Sequence, residues 1–190
     1  RLIITSNAEQ VVPASADERR WAVFNVSNSR VGDRAYFDAY AAEMEGDGPG
    51  ALLHYLQHYD LTGFDVRTPP KTEGLLQQKL ASLRDFERFW FNALYRGALP
   101  GRTEWKTQIG APGLAEDYNT NAKDDRFHAQ HLDERAIGKK LRKLCPAVER
   151  ERVGPRSDRK RYYVLPTLDE CRSAFEKWLG ASIDWSDSDA

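Results

Sequence analysis

Residues 133–165 restrict the possible folds more than any other stretch of the chain. Asp133 stands where a helix N-cap belongs, and Ile137, Leu141 and Leu144 follow at a helical period until Pro146 ends the run. Two short strand-like runs come next, 148–153 and 159–165, parted by Gly154-Pro155-Arg156-Ser157-Asp158. A chain punctuated in this way has to make a helix and then a hairpin.

The polar positions of the same stretch are basic. Arg135, Lys139, Lys140, Arg142 and Lys143 occupy the outer face of the expected helix, and Arg156, Arg159, Lys160 and Arg161 fall on the expected hairpin. The overall charge of −1 conceals this segregation. Residues 135–163 carry 11 Lys or Arg against 3 Asp or Glu, whereas residues 1–134 carry 15 against 20 and residues 164–190 carry 2 against 6. A basic block set in an acidic chain suits a polyanionic partner, and few Asn or Gln side chains accompany it. DNA bound through its backbone, with little reading of base edges, is the expectation.

The flanking sequence places this block in a helical setting. Helices are expected over 34–45, 51–59, 72–82, 85–97 and 114–124, a strand over 105–109, and a closing helix over 167–179 that starts at Thr167. Gly46–Gly50 and Pro100-Gly101 read as breaks, 62–70 as a linker, and 182–190 as a frayed acidic tail. Helix, turn, helix and basic hairpin is the order of a winged helix-turn-helix module. Cys145 and Cys171 sit in unrelated contexts and read as reduced core thiols, and His54 and His58 as solvent-facing residues, so no metal site is expected. No apolar run approaches the ~18 residues of a membrane span.

The N-terminal region supplies a second site. Leu2-Ile3-Ile4-Thr5-Ser6-Asn7 reads as a buried strand ending on an amide, and Trp21–Val26 reads as another, entered directly from Asp17-Glu18-Arg19-Arg20. An amide beyond a strand end can orient a water for attack on a γ-phosphate, and an arginine can neutralise charge on the transferred group. Asn7, Arg19 and Arg20 are therefore the candidate catalytic residues.

Those two segments, in that order and followed by a basic winged-helix tail, resemble the C-terminal half of phage and plasmid primase-helicases. These are superfamily-3 AAA+ motors related to the poxvirus primase-helicase. The resemblance implies that Asn7 is the sensor residue, that Arg19 or Arg20 is the arginine finger offered to a neighbouring subunit, and that the parent forms a hexameric ring using ATP and Mg. It also implies a role in DNA replication in the cytoplasm of a bacterial host, with no membrane association. The sequence departs from the family pattern in one respect. No G-x-x-x-x-G-K-[ST] loop occurs in the 190 residues, nor an apolar strand ending in paired acids, so no cofactor and no ATP hydrolysis are expected of this chain alone.

The expected fold class is α+β and mostly helical: residues 1–66 as the end of an AAA+ core with two strands, residues 67–184 as helical connector and winged helix, and residues 185–190 as an acidic tail. The chain, opening at a strand on Arg1, reads as the back half of a larger protein. A stand-alone winged-helix DNA-binding protein without ATPase ancestry, and an assembly module whose hairpin meets an acidic protein, are the alternatives.

Overall fold

The structure is a computed structural model that describes residues 2–65, 67–124, 130–155 and 159–186, with the backbone alone for 122–124. The described residues are α+β and mostly helical, with seven α-helices and one three-stranded antiparallel sheet. They fall into two compact units: residues 1–18 with 75–190, and residues 19–74. Among the described residues no helix is long and apolar enough to cross a membrane.

In the larger unit, α3 (Glu73–Ala81) and α4 (Asp85–Arg96) precede β1 (Gln108–Gly110), α5 (Ala111–Asp124) and α6 (Glu134–Leu144). The hairpin β2 (Glu149–Val153) and β3 (Lys160–Val164) follows, and α7 (Leu168–Leu179) closes the unit. The sheet order is β1-β3-β2, so the last strand lies between the other two. Phe86, Trp90 and Leu94 of α4, Leu114 and Tyr118 of α5, Ile137 and Leu141 of α6, Tyr163 of β3 and Phe175 of α7 form one buried core. Phe86, Phe89 and Trp90 thus give α4 an aromatic stripe that is core.

Local chemistry explains why these helices start and stop where they do. The Asp133 carboxylate accepts from the Ala136 amide at 2.7 Å, capping α6. Thr167 and Glu170 form a reciprocal capping box at the start of α7, and Gly180 ends that helix in the left-handed region at φ 71°. The side-chain and backbone hydrogen bonds of Thr167 hold the Glu170 carboxyl below its usual value. Helices α2 (Gly48–Gln57) and α5 start three residues earlier than expected. Pro49 was read as part of a break, but Pro49 and Pro112 each stand in a first turn, where the missing N–H has no intrahelical partner to lose.

The N-terminal expectations need correction. Residues 2–7 and 21–26 are not strands: the described backbone there pairs with no ladder, and Ile3 and Val26 are both 91% exposed. An apolar run codes for a strand only where another strand accepts its hydrogen bonds. The following segment instead straps onto α3. Gln78 accepts from the Val11 and Val12 amides at 2.7 and 3.2 Å and donates to the Glu9 carbonyl at 2.7 Å. The Lys79 ammonium, nearly buried, donates to the carbonyls of Ala16 and Leu179 at 2.7 and 2.9 Å. Lys79 thereby joins the strap to the end of α7.

The C-terminal end is also better ordered than a frayed tail through residue 186. Ile183 is buried, and the Trp185 indole packs on Phe91 and Tyr95 while donating to the Glu176 carboxylate at 3.1 Å. Residues 187–190 lie outside the described residues.

The smaller unit holds a short 3-10 turn at Asn28–Arg30, then α1 (Arg34–Glu45) and α2. Gly48 allows the two helices to follow each other so closely, since a Cβ there would meet the Glu43 carbonyl oxygen at 2.5 Å.

The capping box gives a direct prediction. Thr167→Ala should cost about 1 kcal/mol in denaturant unfolding. Because the folded Glu170 carboxyl is depressed, its contribution is present above the unfolded pKa and lost as pH falls through the folded value. The difference between wild type and variant should therefore shrink in acid; a gap that stays constant would contradict the assignment.

Candidate nucleic-acid interface

The basic residues gather because α6 and the hairpin are locked together. Ile137, Gly138, Leu141 and Leu144 form the buried face of α6. Arg135, Lys139 and Arg142 then recur along the opposite, exposed face at a helical interval. Upstream, Asn119 donates to the Leu132 carbonyl at 2.9 Å and accepts from its amide at 3.0 Å, fixing the entry into α6.

The joint between helix and hairpin is Tyr163. Its ring is fully buried, and its hydroxyl donates to the Glu134 carbonyl at 3.1 Å and accepts from Arg150 at 3.3 Å. Gly138 makes this possible, since a Cβ at that position would lie 2.4 Å from the Tyr163 hydroxyl. The Arg161 guanidinium reaches the Glu134 carboxylate at 2.9 Å, adding an ion pair at the same corner.

Register decides which side chains share a face. Arg150 stands opposite Tyr163 and Arg152 opposite Arg161. Facing partners in an antiparallel pair project to the same side, and alternate pairs share that side. Arg150, Arg152 and Arg161 therefore project on the α6 side of the hairpin with Tyr163. Glu149, Glu151 and Lys160 project to the other side, where Gln108 donates to Glu151 at 2.9 Å.

Of the expected residues, Arg135, Lys139, Arg142, Lys143, Arg159, Lys160 and Arg161 are exposed on this helix and hairpin. Lys140 is half-buried, and Lys143 turns towards α4 and α7, with Glu87 at 3.6 Å and the Trp178 ring at 5.5 Å. Arg156 lies outside the described residues. Arg150 and Arg152 were missed. The signal was present in Glu149-Arg150-Glu151-Arg152, where a period of two puts both cations on one face of a strand.

The expected catalytic trio is placed differently. Asn7 is exposed on irregular backbone of the larger unit, whereas Arg19 and Arg20 are exposed at the start of the smaller one, and no described strand borders any of them. His54 and His58 stack with ring centroids 4.2 Å apart, and no group of three or more metal-ligating side chains occurs among the described residues. The two cysteines are neighbours in the core, both fully buried with sulfurs 3.8 Å apart. Their mutual hydrogen bond is the main influence on both thiols, holding Cys145 down and, with burial, pushing Cys171 well above the ordinary thiol value.

A groove of about 660 Å³ beside the strap mixes Asp17 and Glu87 with Arg84 and Lys143. Its mixed sign does not select a polyanion, which leaves the α6–hairpin surface as the candidate interface. Comparison with protein-family models, with curated proteins and with solved structures produced no significant match.

The Tyr163 joint can be tested without any ligand. Gly138→Ala should destabilise by about 1–3 kcal/mol, since overpacking against a rigid buried ring outweighs the helix preference of Ala. Adding Tyr163→Phe removes the clashing oxygen, so the double variant should cost less than the sum of the two singles. Strict additivity in urea unfolding would contradict the proposed contact.

Proposed function

We propose that residues 85–179 form a winged helix-turn-helix that binds duplex DNA. The observation that carries this reading is the register of the hairpin, which sets Arg150, Arg152 and Arg161 together on the side facing α6, a helix whose exposed face carries Arg135, Lys139 and Arg142. Support also comes from the order of elements, in which α4, β1, α5, α6 and a two-stranded wing follow one another and the wing's second strand lies at the centre of the sheet. In a module of this kind the second helix of the helix-turn-helix lies in the major groove and the wing meets the flanking backbone.

The electrostatics favour an anion. Arg152 and Arg161 stand directly opposite each other in the ladder, an arrangement that destabilises a sheet unless something negative lies over it. Glu134 offsets one of the two charges, and a phosphate would offset the other. The surface offers arginine and lysine with few amide side chains, so binding is governed by the backbone and depends weakly on sequence.

The larger role is proposed from the resemblance alone: the chain is the C-terminal part of a phage or plasmid primase-helicase, its winged helix placing an ATP-driven ring on DNA. On that reading Asn7 serves as sensor and Arg19 or Arg20 as arginine finger, with ATP and Mg held by the parent. The exposed apolar runs at 2–4 and 24–26 are compatible with strands that pair only within a complete core.

Fluorescence anisotropy with a labelled duplex tests the DNA reading. If about six cations meet phosphates, log K should fall against log salt with a slope of about −5. Replacing Arg135, Lys139, Arg142 and Arg152 together by Glu should weaken binding at least ~100-fold while leaving circular dichroism unchanged. Unaltered affinity would refute the interface.

A further inference from the structure

We infer that Cys145 and Cys171 are a dithiol that a peroxide converts to an internal disulfide, stapling the basic hairpin to the core. The proposal is independent of the DNA reading. The chain has two cysteines, 26 positions apart, and the fold brings them together. Cys145 stands at the C-terminal end of α6, and Cys171 shares the buried face of α7 with Phe175 and Leu179. Their sulfurs lie 3.8 Å apart. The side chains therefore meet, and closing to the ~2.05 Å of a disulfide needs a movement of less than ~2 Å. Cys145 can supply it, because its backbone (φ −139°, ψ 89°) has already left the helix.

The surroundings give the two thiols different roles. The Cys145 sulfur accepts from the Cys171 thiol and the Ala147 amide, and these bonds hold it below the ordinary thiol value despite burial. Cys171 is pushed well above that value, first by the same sulfur contact and then by burial. Cys145 is thus the thiol that ionises, and Cys171 the one that resolves. Both residues are fully buried, which shuts out a bulky disulfide oxidant. A small uncharged peroxide, admitted by local opening at the end of α6, is the class that reaches them.

The chemistry needs nothing further. The Cys145 thiolate attacks one peroxide oxygen and the O–O bond breaks. The leaving hydroxide takes up the proton that Cys145 released, giving a sulfenic acid and water. The Cys171 sulfur then attacks the Cys145 sulfur, the S–O bond breaks, and the departing hydroxide carries off the Cys171 proton as a second water. Two thiols together lose two electrons, and one peroxide gains them. The ring so closed contains both strands of the hairpin, β2 and β3. Cross-linking a loop of that length restricts the unfolded chain, so the oxidised larger unit resists denaturant better.

Mass spectrometry of the full chain after treatment with hydrogen peroxide tests this. The monomer should lose the mass of two hydrogens, and a digest should yield one linked peptide pair containing Cys145 and Cys171, which dithiothreitol separates. In urea, followed by tryptophan fluorescence, the midpoint of the oxidised chain should rise by on the order of 1 M, and dithiothreitol should return it. Cys171→Ala should abolish the link and leave Cys145 carrying oxygen. Wild-type thiols that stay free, that gain oxygen without linking, or that link only between chains would overturn the proposal. A linked chain no more resistant to urea than the reduced one would overturn the stapling role.

Discussion

The buried hydroxyl of Tyr163 under the first turns of α6 is the contact on which the basic surface depends. A helix with cations along one face and a hairpin with cations along one face are each commonplace. They become one surface only when the hairpin cannot slide or rotate against the helix. A one-residue slip would send Arg150, Arg152 and Arg161 to the opposite face. Tyr163 prevents this by filling the space that Gly138 leaves, with its hydroxyl satisfied by the Glu134 carbonyl. Burial of such a ring stabilises by about 1.5–3 kcal/mol, and the close fit makes that gain specific to one register.

A second polar device organises the other side of the same unit. Gln78 and Lys79 are nearly buried on α3, and both spend their hydrogen bonds on backbone carbonyls and amides of the 9–16 strap and the end of α7. A buried ammonium is costly unless its donors are satisfied, so this Lys confines the strap to one position as much as it stabilises it. Replacing it by an apolar residue of similar size would leave the Ala16 and Leu179 carbonyls without that donor.

What the sequence disclosed follows the range of the interactions involved. Helices α6 and α7 were legible because Asp133 and Thr167 cap them locally and their apolar residues keep a helical period. The β2–β3 hairpin was legible because alternation and a Gly-Pro turn both lie within a dozen residues. The strand expected at 2–7 failed because its partner would have to come from elsewhere in a chain, which no local pattern reports. The buried roles of Gln78 and Lys79 had no local signal, since their partners lie 63 to 100 positions away. Trp185 was misread as tail for the same reason, as Phe91 and Tyr95 meet it only through the tertiary fold. The role of Gly138 had no local signal either, because the side chain it makes room for lies across the joint.

DNA is proposed to meet the exposed cations of α6 together with those on the α6 side of the hairpin. Nuclear magnetic resonance titration of the isotope-labelled chain with a short duplex measures this directly. The account predicts that perturbed resonances cluster at Arg135, Lys139, Arg142, Arg150, Arg152 and Arg161, with the strap at 9–16 unaffected. Saturable binding that leaves those six positions unmoved and shifts residues elsewhere would contradict it.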